Sequence, residues 1–338
     1  MKETKYESFV TGRLAEGCKL CVKGEKMVLF VTGLCSRGCD FCPLSKLRKS
    51  VDKTYANERP VKFLKDLFKE VRVSGAKGCS ITGGDPLLKI KRTEKFGNAL
   101  KKKFGKKFHI HIYLSTTLVD EKNLKIISNF ADEVRFHPDF DKPIEEEIEK
   151  IKLASKFWKK KNIGIEVPSF PDKINKIYNF ILKTKDYFSF LNLNELEAGE
   201  VLGPSMTKKY KLNENGYTVK NSILAGKKLI SLIEKDGLKL NMNLCTSKLK
   251  VWHQYGERLK NYKPFKFSKM TDEGTLVYFS VSVEEEKFLK KEDFHLDSEK
   301  NQLIINPTKA LSLKDKVEVY KIEEYPTYDR EEIFKEKL

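Results

Sequence analysis

The chain has 338 residues, 40% of them hydrophobic, enough for one large domain and a smaller one with ordinary globular cores. No apolar run approaches the length of a membrane span and no signal peptide precedes the first basic residues, so a cytoplasmic protein without a membrane partner is expected. The formal charge is +18, and because residues 262–338 hold 14 basic and 17 acidic side chains, the first 261 residues carry +21. Such a field suits a polyanion such as RNA, and a lysine-rich composition of thermophilic type accounts for it equally well.

Seven cysteines, most of them clustered, point to metal chemistry in a reducing compartment rather than to disulfides. Residues 1–25 lack a regular period but place Cys18 and Cys21 in EGCKLCVKG, where flanking glycines allow the tight turn that two ligands on one ion need. Met27 to Val31 reads as a short buried strand, and the loop after it carries Cys35, Cys39 and Cys42. A C-x3-C-x2-C loop can turn three sulfurs to one point, as an iron–sulfur cluster requires, and three thiolates leave one iron of a cubane open. A zinc knuckle with a distant fourth ligand is the competing reading.

A polar connector, SKLRKSVDKTYANER, follows and is long enough to act as a lid. Pro60 is expected to open an amphipathic helix with Val61, Leu64, Phe68 and Val71 on one face. Strands are then predicted over 79–82, 110–114, 133–136, 163–167 and 188–193, with helices over 92–104, from Asp120, over 143–160 and over 174–182 between them. With the first strand, six strand-then-helix units imply an α/β fold, an incomplete parallel (β/α)6-type barrel. After a loop containing Gly203 and Pro204, a helix over 219–234, a further strand over 238–242 and a helical stretch over 246–260 complete it. Strands over 275–283, 302–305 and 316–322, with turns at 272–274 and Asn306-Pro307, form a small C-terminal antiparallel β domain. The expected divisions are thus 1–25, 26–261 and 262–338.

The working residues of such a barrel lie at the C-terminal strand ends. Gly83-Gly84-Asp85-Pro86 offers unencumbered backbone and a carboxylate, suited to an ammonium group. Arg135 shares a strand face with Glu133 and is placed either to grip a carboxylate or to form an internal salt bridge. His137 is a proton donor or a satisfied loop residue. Glu166 sits in an otherwise apolar strand and must face a partner or the mouth. Asn192 and Asn194 share a face, and Asn194 and Glu195 are candidates for a ribose or a substrate. Cys79 reads as a buried small hydrophobe. Cys18, Cys21 and Cys245 would hold a second cluster or a zinc ion if the first segment folds across the barrel mouth.

The three-cysteine loop, with Phe41 before its last cysteine, resembles the signature of the radical S-adenosylmethionine (radical SAM) superfamily. The resemblance implies a [4Fe–4S] cluster whose open iron binds the amino and carboxylate groups of SAM. An external electron donor reduces the cluster, the sulfonium is cleaved, and a 5′-deoxyadenosyl radical takes hydrogen from the substrate. By the same resemblance Gly83 to Pro86 matches the family's Gly-Gly-Glu-Pro motif, which contacts the methionine amino group, with Asp85 replacing Glu. Phe41 lies near the adenine, and Ser115 and Thr116 occupy the place of a Thr-Asn-Gly strand ending. The Glu133 and Arg135 pair is similar to the Asp-x-Lys strand of glycyl-radical activating enzymes, and the chain as a whole resembles an archaeal branch of relatives of pyruvate formate-lyase activating enzyme. The C-terminal domain and the extra thiols depart from the short activases. RNA, as tRNA, is therefore the first expected substrate; a protein, peptide or small metabolite is the alternative. A zinc-stabilised nucleic-acid-binding module is the non-enzymatic reading.

Overall fold

A computed structural model describes residues 1–200 and 204–338. Seven strands, β1 (Lys26–Phe30), β2 (Gly78–Thr82), β3 (His109–Ser115), β4 (Glu133–His137), β5 (Ile163–Pro168), β6 (Phe190–Asn194) and β7 (Asn241–Cys245), lie side by side in chain order. Each is parallel to the next. The α/β architecture is the expected one, with β7 beginning three residues later than the sequence suggests. The helices α1 (Glu16–Val22), α2 (Leu64–Val73), α3 (Ile90–Phe104), α4 (Glu121–Ser128), α5 (Ile144–Ala154), α6 (Ile174–Thr184), α7 (Pro204–Lys209) and α8 (Ser222–Lys235) complete the barrel region. Gly203 lies outside the described residues.

The alternation of side chains along the strands decides what each face does. Met27, Leu29, Ile81, Ile110, Val134, Ile165 and Leu191 point one way and are buried in one apolar cluster with Leu67, Leu100, Leu124, Ile151, Ile177 and Ile230 of the helices. Each such side chain contributes roughly 1.5–3 kcal/mol. The alternate residues, Ser80, His111, Glu133, Arg135 and Asn192, are buried too, but on the opposite, polar face. The barrel lumen is therefore lined with hydrogen-bonding groups rather than filled with hydrocarbon.

Antiparallel additions close both edges. Tyr55–Ala56 pairs with β1 and with Arg59–Pro60, and Phe9–Thr11 pairs with β7. Lys2–Glu3 and Phe9–Thr11 thus extend the barrel sheet, and Cys18 and Cys21 lie in α1 rather than in a tight turn. A helix wins there because Gly17 lets its backbone press onto the lumen: a Cβ at that position would stand 2.2 Å from His111 Nδ1 and 2.6 Å from Arg135 Nη2. Lys26 Nζ donates to the Gly17 carbonyl at 2.8 Å, and Gly17 N donates to Glu133 Oε2 at 3.3 Å.

Pro60 does not open a helix. It lies in the short edge strand, and α2 starts at Leu64, where Asp66 accepts from Phe63 N at 2.8 Å. The polar connector is pinned, with Ser50 N donating to Gly33 O at 2.9 Å and Arg92 paired to Asp52 at 2.6 Å.

In the C-terminal domain β8 (Leu276–Ser282), β9 (Phe294–Asp297), β10 (Gln302–Ile305), β11 (Tyr320–Glu324) and β12 (Glu332–Lys337) form an antiparallel sheet in the order β9-β10-β8-β11-β12. Asn306 caps a helix, Pro307–Leu313, where a turn was expected, its side chain accepting from Thr308 N at 2.9 Å. The domain docks beside α2 through Tyr262 OH, which donates to Glu70 Oε1 at 2.5 Å, and through Arg59 over the Tyr328 ring at 4.6 Å. Among the described residues no helix is long and apolar enough to cross a membrane.

Candidate active site

Cys35, Cys39 and Cys42 lie on the irregular loop that leaves β1, with Cys35 exposed and the other two half-buried. All three are within electrostatic reach of one another. The turn after β2 holds this loop in place: Gly84 N donates to Thr32 O and Asp85 N to Leu34 O, both at 2.8 Å. Only glycine fits at position 84, where a Cβ would stand 2.2 Å from Leu34 O and 2.9 Å from Cys35 Cβ. The buried Asp85 carboxylate accepts from Ser36 Oγ at 2.9 Å, Ser115 Oγ at 2.7 Å and Leu87 N at 3.0 Å, tying the cysteine loop to β2 and β3.

Arg37 and Asp139, which motif reading passed over, complete the anchoring. Arg37, between the first two cysteines, donates from Nη1 to His137 O at 2.7 Å and pairs with Asp139 at 3.3 Å. The partners are 100 residues and more apart in sequence, so no local spacing signals them. Phe41 packs edge-on to Phe170 at 4.9 Å and beside the His137 ring at 5.9 Å. A hollow of about 520 Å³ opens here, lined by Cys39, Phe41, Phe170, Lys173 and Tyr210.

Burial first, then the Arg37 charge, pulls the His137 imidazole down from 6.5 to about 4, so the ring is neutral at physiological pH. The sign follows: a depressed folded value means that the neutral ring stabilises fully above the ordinary value, and this contribution is lost as pH falls toward about 4. His137→Gln is expected to flatten the acid limb of the stability curve by up to about 3 kcal/mol. Urea unfolding at pH 7 and pH 4.5 measures this, and an unchanged pH slope contradicts it.

Beneath the mouth, Arg135 and Glu166 form a buried hub. Arg135 Nε donates to Glu133 Oε1 at 2.7 Å, and Nη1 donates to Glu166 Oε2 at 2.8 Å and to Tyr113 OH at 3.3 Å. Its Nη2 lies 2.5 Å from Glu133 and 3.4 Å from Cys18 Sγ. Every guanidinium nitrogen is therefore committed within the protein. Glu166 also accepts from Asn192 Nδ2 at 2.9 Å and Asn194 Nδ2 at 3.1 Å. Burial pushes the Glu166 carboxyl up, but Arg135 and the two amides outweigh it and hold it below the ordinary carboxylate range. Deeper in the lumen, burial and then Arg135 and Lys26 keep His111 neutral.

Not every candidate joins this arrangement. The Glu195 carboxylate turns away and accepts from Ser247 N at 2.8 Å, and Thr116 is buried against Glu147. Cys79 packs in the apolar helix-facing core. Cys18, Cys21 and Cys245, by contrast, line one cavity with Arg135, Asn194 and Lys250.

A family model described as the radical SAM superfamily matches residues 29–193. A protein of Methanocaldococcus jannaschii, provisionally named a glycyl-radical enzyme activating enzyme, is 34% identical over 305 residues, which cover 85% of this chain and 78% of that relative. The chain belongs to the radical SAM superfamily. It is accordingly an enzyme, and membership brings a [4Fe–4S] cluster and SAM as cofactors. Two solved structures of the radical SAM methyltransferase TsrM from Kitasatospora setae also align, one with tryptophan and a SAM analogue, the other with cobalamin and a [4Fe–4S] cluster. Their TM-scores are 0.38 and 0.36 at 9% identity, over 56% and 54% of this chain and 41% and 40% of theirs. The chain thus spans less than half the length of those enzymes.

The donor set fits a radical SAM cluster. Three soft thiols on one loop suit iron, and the glycine at 84 lets the turn after β2 press against the backbone of that loop.

Proposed function

We propose that this radical SAM enzyme acts on a protein, installing a radical on a glycine of a partner enzyme. The observation that carries this reading is the 34% identity to the M. jannaschii relative across 85% of the chain. It supports the protein alternative over RNA, which rested on the +21 charge of the first 261 residues and on the C-terminal domain and extra thiols that the short activases lack.

In this reading Cys35, Cys39 and Cys42 hold the cluster. When bound and reduced by an external donor, it supplies the electron that opens the SAM sulfonium and so yields the hydrogen-abstracting radical. The amide hydrogens of Gly84 and Asp85 are already spent on Thr32 and Leu34, so this turn receives the methionine ammonium through carbonyl oxygens. Asp85 acts through Ser36 and Ser115, setting the position of the cysteine loop. Phe41 offers an aromatic surface to the adenine, and Glu166, Asn194 and His137 present polar groups to the rest of SAM and to the substrate.

Gly84→Ala is expected to destabilise the protein by about 1–3 kcal/mol through overpacking and to lower cluster occupancy after anaerobic reconstitution. Thermal unfolding and iron analysis check this; wild-type values in both contradict the close-approach argument. For the function itself, reduced enzyme is incubated anaerobically with SAM and each glycyl-radical enzyme encoded in the same genome. A one-hydrogen-split radical signal that vanishes when the partner glycine becomes alanine is the expected result. SAM cleavage stimulated by tRNA and by none of the proteins overturns it.

A further inference from the structure

Between the Tyr55–Pro60 edge hairpin, α2 and α3 lies an open hollow of about 1000 Å³ that the proposed chemistry does not use. Its apolar lining is Val61, Leu64 and Phe96, which pack with the helix-facing core. Phe63, on the same wall, is 63% exposed. The backbone beneath that ring is nevertheless fixed, because Lys62 N and Phe63 N both donate to Asp66 Oδ2, at 3.0 and 2.8 Å. An aromatic ring on a held backbone loses little freedom when a partner covers it.

The charge around the hollow is one-sided. Lys53, Lys62, Lys91 and Lys95 line it, all four are exposed, and among the described residues none of them forms an ion pair. Lys91 and Lys95 stand four apart on α3 and share a face. Asp52, the one carboxylate among the described lining residues, is already committed to Arg92 at 2.6 Å, Lys89 at 2.8 Å and the Thr32 hydroxyl at 2.8 Å. The four ammonium groups are thus left for an acidic partner to neutralise.

A lysine-rich composition accounts for exposed lysines by themselves, and Lys102, Lys103, Lys106 and Lys107 at the other end of α3 are exposed too. It does not account for an aromatic ring standing in water beside an apolar hollow, the combination that marks a binding surface. The apolar lining also favours a polypeptide over a nucleic acid. A leucine or phenylalanine side chain can fill it, whereas a single strand of RNA would stack on Phe63 and leave Val61, Leu64 and Phe96 uncovered. The hollow lies close to the chemistry, since the Thr32 hydroxyl that donates to Asp52 accepts from Leu34 N at 3.2 Å, next to Cys35.

We infer that this hollow docks an acidic segment of the protein substrate, one that carries a leucine or phenylalanine, with Phe63 as the apolar anchor and the four lysines holding the carboxylates. The inference rests on the reading that the substrate is a protein and adds the surface that selects it. Two measurements on the full-length, cluster-loaded enzyme keep the two apart, both at physiological salt, where charges more than about 8 Å away are screened. In the first, fluorescence anisotropy follows a fluorescein-labelled peptide of alternating glutamate and leucine. Its binding should weaken at least about tenfold in Lys53→Glu/Lys62→Glu/Lys91→Glu/Lys95→Glu and in Phe63→Ser. It should stay within about twofold in the control of equal charge, Lys102→Glu/Lys103→Glu/Lys106→Glu/Lys107→Glu. In the second, KM for the glycyl-radical partner should rise at least about tenfold in the first two variants, while kcat and SAM cleavage without the partner stay unchanged. No peptide binding by the unmodified enzyme, or equal loss in the control, overturns the docking site, as does an unchanged KM. So does tRNA held by these lysines in place of the peptide. Peptide binding that follows the expected pattern while no partner acquires a glycyl radical supports the acidic-segment site and removes the proposed function alone.

Discussion

Cys35→Ala, Cys39→Ala and Cys42→Ala are each expected to abolish 5′-deoxyadenosine formation, a loss of at least about a thousandfold, or roughly 4 kcal/mol of barrier. The reason is local. One loop supplies all three thiols, and removing one leaves a proposed cluster site with two, too few to hold a cubane with a single open corner. The fold should survive, because these cysteines are exposed or half-buried and make no part of the apolar core. The melting temperature is therefore expected to stay within a few degrees of the unmodified protein's. Product analysis under strong reductant reads the outcome; SAM cleavage that persists in any of the three sinks the assignment of this loop.

Arg135→Met is expected to have the largest effect on stability. The guanidinium is fully buried between Glu133 and Glu166, and its loss leaves two buried carboxylates without their cation. Breaking a buried pair from one side costs about 3–5 kcal/mol. Adding Glu166→Gln to Arg135→Met should recover part of that loss, because it removes one stranded charge while its single amide oxygen still accepts from one of the two donors, Asn192 or Asn194. Thermal unfolding of the single and double variants reads the cycle, and an unaltered transition in Arg135→Met contradicts it.

The strand and helix alternation of residues 26–261 was legible because each strand carries a period of two and each crossover helix an apolar stripe. The catalytic-loop candidates were legible for a different reason: the thiol spacing and the glycine pair are local. What escaped were features set by tertiary contact. Seven residues, EGCKLCV, give α1 no period long enough to read, and the helix exists because Gly17 seats it against His111 and Arg135. Arg37 with Asp139, and Glu195 with Ser247, join segments far apart along the chain. Proline at 60 misled because an edge strand tolerates it as readily as a first helical turn does.

The pairing of Phe9–Thr11 with β7 has a consequence for biogenesis. At roughly 5–20 residues per second on a ribosome, the 35–42 trio is complete while most of the polypeptide is still unsynthesised. Phe9 must wait for Leu244, its partner in β7, on the order of 10–45 s at those rates. The Phe9–Thr11 strand is thus left waiting until nascent β7 has emerged, while the loop of the 35–42 trio can already be held by the turn after β2.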